Sequence, residues 1–275
     1  MFPVLIDLGT HEIPVLGEIH MFLPTYGFLF ALAVLIAWWW FMRRARALEL
    51  PEETLFNLTF FALLGGILGA KLLLILVEWR VYLDNPRLVL GTIRAAGVLM
   101  GGVVVGALVF VGYARRHGLP VMRLGDAIAA PLALAQAIGR LGCFSAGCCW
   151  GVAAGPGSLV GVTFSDPRGN LPGHLLGVPL VPTQLLEMAF DLVLVVVLTW
   201  LWRRGLRPAG TVLWSYVLLY GIGRAVIEFW RGDDFRGLYL DGAISTSQIL
   251  SLAAILLALA MLLRGRLRSP EPASP

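Results

Sequence analysis

Apolar residues along this chain collect into blocks of about 20, the length of helix that crosses the hydrocarbon core of a bilayer. Seven blocks stand out: Met21–Met42, Thr54–Trp79, Ala96–Ala114, Leu124–Phe144, Thr183–Trp202, Val212–Trp230 and Ile244–Leu263. The pattern predicts an all-α polytopic membrane protein with seven transmembrane helices, read as a single integral membrane domain over 1–275. Its longest connection, at about 145–182, is rich in Gly and Pro, and its length suits a lid or docking surface.

The polar connections orient the blocks, because Lys and Arg accumulate on the cytoplasmic side. Arg43, Arg44 and Arg46, then Arg115, Arg116 and Arg123, then Arg203, Arg204 and Arg207, then Arg264, Arg266 and Arg268 form four sets of three on alternate connections. Arg80, Arg87, Arg94, Arg168, Arg231 and Arg236 on the opposite side are diluted by Glu78, Asp84, Asp166, Asp233, Asp234 and Asp241. This places the N-terminus outside and the C-terminus in the cytoplasm. Met1–His20 carries Asp7, Glu12 and Glu18 without Lys or Arg, so it lacks the basic start of a secretory signal and reads as an external segment lying on the membrane.

Composition agrees with the pattern: 58% of residues are hydrophobic, 14% are charged and mean hydropathy is +0.82. The net charge of +4 records the asymmetry of the connections, which argues against a nucleic-acid partner.

Chemistry concentrates between Gly139 and Gly151, GRLGCFSAGCCWG, where a guanidinium and all three cysteines stand at the end of an apolar block. A charge near the end of a spanning segment is rarely kept without a partner or ligand. Alternation of the spans puts Tyr26, Lys71, Arg140, Glu187, Arg224 and Glu228 in the outer half of the membrane. Ion pairing alone accounts for such a set. So does a polar chamber open to the outer leaflet, in which arginines grip a phosphate with two parallel hydrogen bonds. Among its smaller residues, Gly65, Gly66 and Gly69 have the spacing of close helix packing. His20 reads as interfacial, and His174 as an exposed loop residue. The cysteines read as packed thiols, or as a Cys143 bridge to Cys148 or Cys149. With no histidine or acid at ligand spacing around them, no metal is expected.

These motifs, with PTYG at Tyr26–Gly27, GAKL at Lys71, MGG at Met100–Gly102, PTQLLE ending at Glu187, YGIGRAVIEFWR ending at Arg231, and ISTSQILS, resemble those of prolipoprotein diacylglyceryl transferases. The resemblance covers nearly the whole chain. It implies transfer of a diacylglyceryl group from phosphatidylglycerol to the lipobox cysteine in the signal peptide of a prolipoprotein, the first step of bacterial lipoprotein maturation. The implied location is the cytoplasmic (inner) membrane, with the active site facing the outer leaflet. Membrane lipid and prolipoprotein are then the partners, and no cofactor is needed. Arg140, Arg224, Glu187, Glu228 and Tyr26 become the candidate catalytic residues. Arg140, Lys71, Gly101, Gly102, Arg231, Gly142 and Gly151 become the candidate substrate-binding ones. Arg140 and Arg224 would hold the phosphate and the charge of the leaving oxygens.

The chain departs from the family pattern where thiol activation is expected. Met100 stands for the usual histidine, Cys143 and Ala146 for two asparagines, Cys148 for a glutamate, and Val181 for a histidine. Methionine takes no proton. Glu187, with no basic neighbour on its own helix, becomes the candidate proton acceptor. The alternative is a catalytically silent or altered-acceptor paralogue that binds phospholipid or lipoprotein.

Overall fold

The computed structural model describes residues 2–268 apart from 14–16, 87, 93–96, 156, 157, 159, 207, 234–236 and 241–243. Arg87, Arg94, Arg207, Arg236, Asp234 and Asp241, which enter the orientation argument, lie outside the described residues, as does Ala96 at the expected start of the third span. Among the described residues, seven helices are long and apolar enough to cross a membrane. They are α1 Thr25–Ala45, α2 Glu52–Val77, α3 Leu99–Arg116, α4 Val121–Ala146, α5 Thr183–Arg203, α6 Thr211–Ile227 and α7 Thr246–Arg268.

The starts fall within a few residues of expectation, and two of the differences have a clear local reason. The first helix begins at Thr25 instead of Met21 because Met21–Pro24 belongs to a strand, β2 Gly17–Pro24, paired antiparallel with β1 Val4–Ile13. The N-terminal segment is therefore a hairpin, whose exposed Phe2, Leu5, Ile6, Leu8, Phe22 and Leu23 suit a membrane surface. His20 faces Asp7 across it at 3.3 Å. The seventh helix begins at Thr246, where Gln248 Oε1 accepts from the Ser245 amide at 3.0 Å and Ser245 Oγ accepts from the Gln248 amide at 3.2 Å. That reciprocal cap satisfies two amides that a helix start leaves without partners.

By internal packing the chain forms two compact units, residues 41–124 and residues 1–40 with 125–275. Within the 41–124 unit, α2 and α3 meet through glycines. A Cβ on Gly69 would lie 2.5 Å from the Gly101 carbonyl, and one on Gly102 would lie 2.9 Å from the Gly66 carbonyl. Small residues allow backbones this close, where dispersion across a long contact holds the helices together. Lys71 Nζ donates to the Thr92 carbonyl at 2.6 Å.

In the other unit, Ala129, Ala130 and Ala133 of α4 meet Leu194 and Leu198 of α5 and Val212 and Tyr216 of α6 in a closed core. Tyr216 satisfies its hydroxyl on Gln136 Oε1 at 2.7 Å. Asp126, near the start of α4, accepts from the amides of Gly210 at 2.6 Å and Leu213 at 2.9 Å, and so caps α6 from a different helix. Asp126→Ala is expected to lower unfolding stability by about 2–5 kcal/mol, since two hydrogen bonds to a buried charged group are lost at once. Thermal unfolding in detergent checks this; an unchanged transition would show that α6 needs no such cap.

The long connection has a small core of its own, built from Trp150, Phe164, Leu171 and Leu180. Residues 151–154 run as an extended ribbon. Gly151 N donates to Val181 O at 2.9 Å, Val152 N to Trp230 O at 2.9 Å and Ala154 N to Pro179 O at 2.8 Å. This ribbon ties the end of α4 to the start of α5 and to the segment after α6. It also walls a hollow of about 490 Å³, with His174 among the residues that line it.

Candidate active site

Glu187 stands one turn into α5, 4% exposed, at the centre of three guanidiniums. Arg140 of α4 forms a close ion pair with it, Arg224 of α6 reaches it at 3.2 Å and Arg231 at 3.6 Å. Arg224 also pairs with Glu228, one turn along, at 2.7 Å. Arg231 forks onto Asp233, Nε to Oδ1 at 2.7 Å and Nη2 to Oδ2 at 2.6 Å. Three arginines thus face three carboxylates, Glu187, Glu228 and Asp233, in a formally neutral cluster with little exposure.

Each position follows from its element. Arg224 in the last turn of α6 and Glu228 just past its end are four apart, which sets them on one face. Arg231 is fixed by its backbone: the ribbon bridges Gly151 to it, and Gly232 N donates to Trp150 O at 3.0 Å. A Cβ on Gly151 would lie 2.5 Å from Val181 O and 2.7 Å from Trp230 O. Gly151→Ala is therefore expected to push the ribbon off both neighbours. The readout is loss of folding stability together with loss of any activity that depends on Arg231, and full retention of both would contradict this role for the glycine.

Of the other expected site residues, Gly142 abuts Tyr26, whose Cδ2 would be 3.1 Å from an added Cβ. Tyr26 lies within electrostatic reach of Arg140 and the cysteines. Lys71, Gly101 and Gly102 belong to the 41–124 unit, where the lysine is engaged with Thr92 O and the glycines with α2. Glu187 has no basic neighbour along its own helix, but across helices it is the shared counter-ion of three arginines.

Asp191 is recognisable in the sequence as a charge within the fifth apolar block, whereas the part played by Asp233 is not. Asp191, one turn below Glu187 and 1% exposed, keeps a buried Oδ1 without a hydrogen-bond partner among the described residues. Asp233 is Arg231's main partner, signalled only by the local Arg-Gly-Asp order.

The cysteines come together through the end of α4. Gly147, at φ 69°, turns the chain left-handed, with Gly147 N donating to Phe144 O at 3.2 Å and Cys148 N to Cys143 O at 3.2 Å. This Schellman closure folds Cys148 back over Cys143. Cys149 is itself left-handed at φ 63°, and α5 clamps the turn: Gln184 Nε2 donates to Cys148 O at 2.7 Å, and Thr183 Oγ1 to Cys149 O at 2.8 Å. All three thiols are free, and their sulfur atoms lie within 4.8 Å of one another. Hydrogen bonds from Cys143 and Cys148 hold the Cys149 thiol below its ordinary range, and the charges of Arg231 and Arg140 add to the effect. Spacing along the chain gave no reason to expect a metal here, and the turn brings three thiols as close together as the ligands of one ion.

Sequence comparison supplies the context. The prolipoprotein diacylglyceryl transferase family matches residues 14–264. A phosphatidylglycerol–prolipoprotein diacylglyceryl transferase 2 of Clostridium perfringens is 36% identical over 239 residues, covering 86% of this chain and 90% of that protein. The transferase of Clostridium tetani is 35% identical over 248 residues, 90% of this chain and 95% of its own. That of Rhodospirillum centenum is 32% identical across 99% of this chain and 95% of its own. On this evidence the chain belongs to the prolipoprotein diacylglyceryl transferase family.

Proposed function

We propose that this multi-pass membrane protein moves a diacylglyceryl group from phosphatidylglycerol to the thiol of a prolipoprotein's lipobox cysteine. The observation that carries the reading is the cluster of Arg140, Arg224 and Arg231 about Glu187, set among apolar helices. A guanidinium has five N–H donors, and even Arg231, which meets Asp233 through Nε and Nη2 and Glu187 through Nη1, does not use all of them on carboxylates, so the cluster retains N–H groups for a phosphate.

The thiolate attacks the glyceryl carbon next to the phosphate ester. A sulfur–carbon bond forms, the carbon–oxygen bond breaks, and glycerol phosphate leaves with the electron pair. Donors already aimed at those oxygens lower the barrier because they need no reorganisation as charge develops. Glu187, Glu228 and Asp233 hold the guanidiniums in register, and Tyr26 offers its hydroxyl to the headgroup. Placement of basic residues supports an outside N-terminus, a cytoplasmic C-terminus and a site facing the outer leaflet of the bacterial inner membrane. The hollow lined by Trp150 and Gly151, which directly follow Cys149 in the chain, suits the approaching precursor.

Complementation of a strain depleted of its own transferase, with mass spectrometry of one lipoprotein N-terminus, tests the reading. A diacylglyceryl-modified cysteine is expected. An unmodified precursor, with the protein present and binding phosphatidylglycerol, would instead establish a lipid-binding relative without turnover.

A further inference from the structure

We infer that Cys143, Cys148 and Cys149 form a three-thiolate site for one Zn(II) ion, whose open fourth position takes the acceptor thiol. The inference rests on the transferase reading for its role, but not for the binding of the ion. Zinc binds thiolate at about 2.3 Å, so the sulfurs of a tetrahedral site stand about 3.8 Å apart. The three sulfur atoms already lie within 4.8 Å of one another, and small side-chain rotations close the difference.

Two features make this a built site. The Schellman closure and the clamp from Thr183 and Gln184 fix the turn that carries the thiols. Three thiolates also need compensating charge: Arg140 and Arg231 both lie within electrostatic reach of Cys149, and zinc supplies the rest. Structural zinc sites have four protein ligands, whereas three with an open position is the arrangement of reactive ones. Among the described residues no histidine or carboxylate completes this cluster.

The site answers the chemistry that Met100 leaves undone. A thiol that coordinates zinc is deprotonated outright, its proton passing to solvent as the bound water is displaced. No side-chain base is then needed. The zinc-held sulfur attacks the glyceryl carbon, glycerol phosphate departs onto the arginines, and the neutral thioether leaves the metal. Cys143 and Cys148, standing where the family has asparagine and glutamate, thereby replace one means of thiol activation with another.

The test uses full-length protein purified in detergent, reduced and metal-free. Zn(II) titration is expected to give one ion per chain, with a sulfur shell by X-ray absorption, lost in each of Cys143→Ser, Cys148→Ser and Cys149→Ser. In Co(II)-loaded protein, a lipobox peptide carrying cysteine should strengthen the sulfur-to-cobalt absorption, and the same peptide with serine should not. Metal-stripped protein should lose transfer yet still bind phosphatidylglycerol. Undiminished zinc in the triple serine variant, a disulfide among the three in protein isolated without reductant, or parent-rate transfer by the metal-free protein would each overturn the inference. If the cobalt signature appears but the zinc-loaded protein modifies no precursor, the metal site stands and the transferase reading falls.

Discussion

Glu187→Gln is expected to give the largest single loss in this protein. The carboxylate is 4% exposed and serves three guanidiniums; Arg224 retains Glu228 and Arg231 retains Asp233. Arg140 is left worst off, since Glu187 is its ion-pair partner among the described residues. Removing one member of a buried ion pair costs about 3–5 kcal/mol, because the remaining charge stays away from water without compensation. Lipid-free Glu187→Gln protein should therefore unfold at markedly lower temperature in detergent. Phosphatidylglycerol should restore more stability to the variant than to the parent, as its phosphate supplies the missing negative charge. Transfer should fall by at least about 100-fold, the scale of effect when catalytic groups shift by an ångström. Parent stability with parent turnover would remove Glu187 from the centre of the site.

Arg140→Lys and Arg224→Lys separate charge from geometry. Lysine keeps the positive charge, so the pairing with Glu187 and the fold should survive. It loses the planar fork that meets two phosphate oxygens at once. One charge-assisted hydrogen bond is worth about 1.5–3 kcal/mol, which corresponds to roughly 10- to 150-fold weaker phosphatidylglycerol binding in either variant. The measurement is lipid affinity of the purified proteins. Parent affinity in both would show that the arginines are structural counter-ions only.

These two experiments bear on different kinds of knowledge. Arg140, Arg224 and Glu228 are recognisable from sequence because their signals are local: a charge at the end of an apolar block, and a spacing of four on one helix. The neighbourhood of Glu187 is not local. Arg140 lies 47 positions before it and Arg231 44 after it, so no spacing along one helix reveals that a single carboxylate serves both. The N-terminal hairpin escaped for a related reason. Pro3 precedes the first strand and Pro24 ends the second, which runs into the first apolar block, where length alone favours helix.

By itself the sequence determined what depends on solvent and on near neighbours: seven apolar spans, the ends where arginine collects, and the order of motifs that marks the family. Bilayer thickness imposes span length, and hydration cost keeps charges at the ends, so both are written in runs of adjacent residues. Only the tertiary structure decided which charges share a partner and which thiols meet. Cys143 and Cys148 approach because a left-handed glycine closes α4, and α5 then clamps the turn from residues some 35 positions away, Thr183 and Gln184. Such contacts depend on packing between helices, where any apolar surface serves the membrane equally well and residue pattern alone carries little of the pairing.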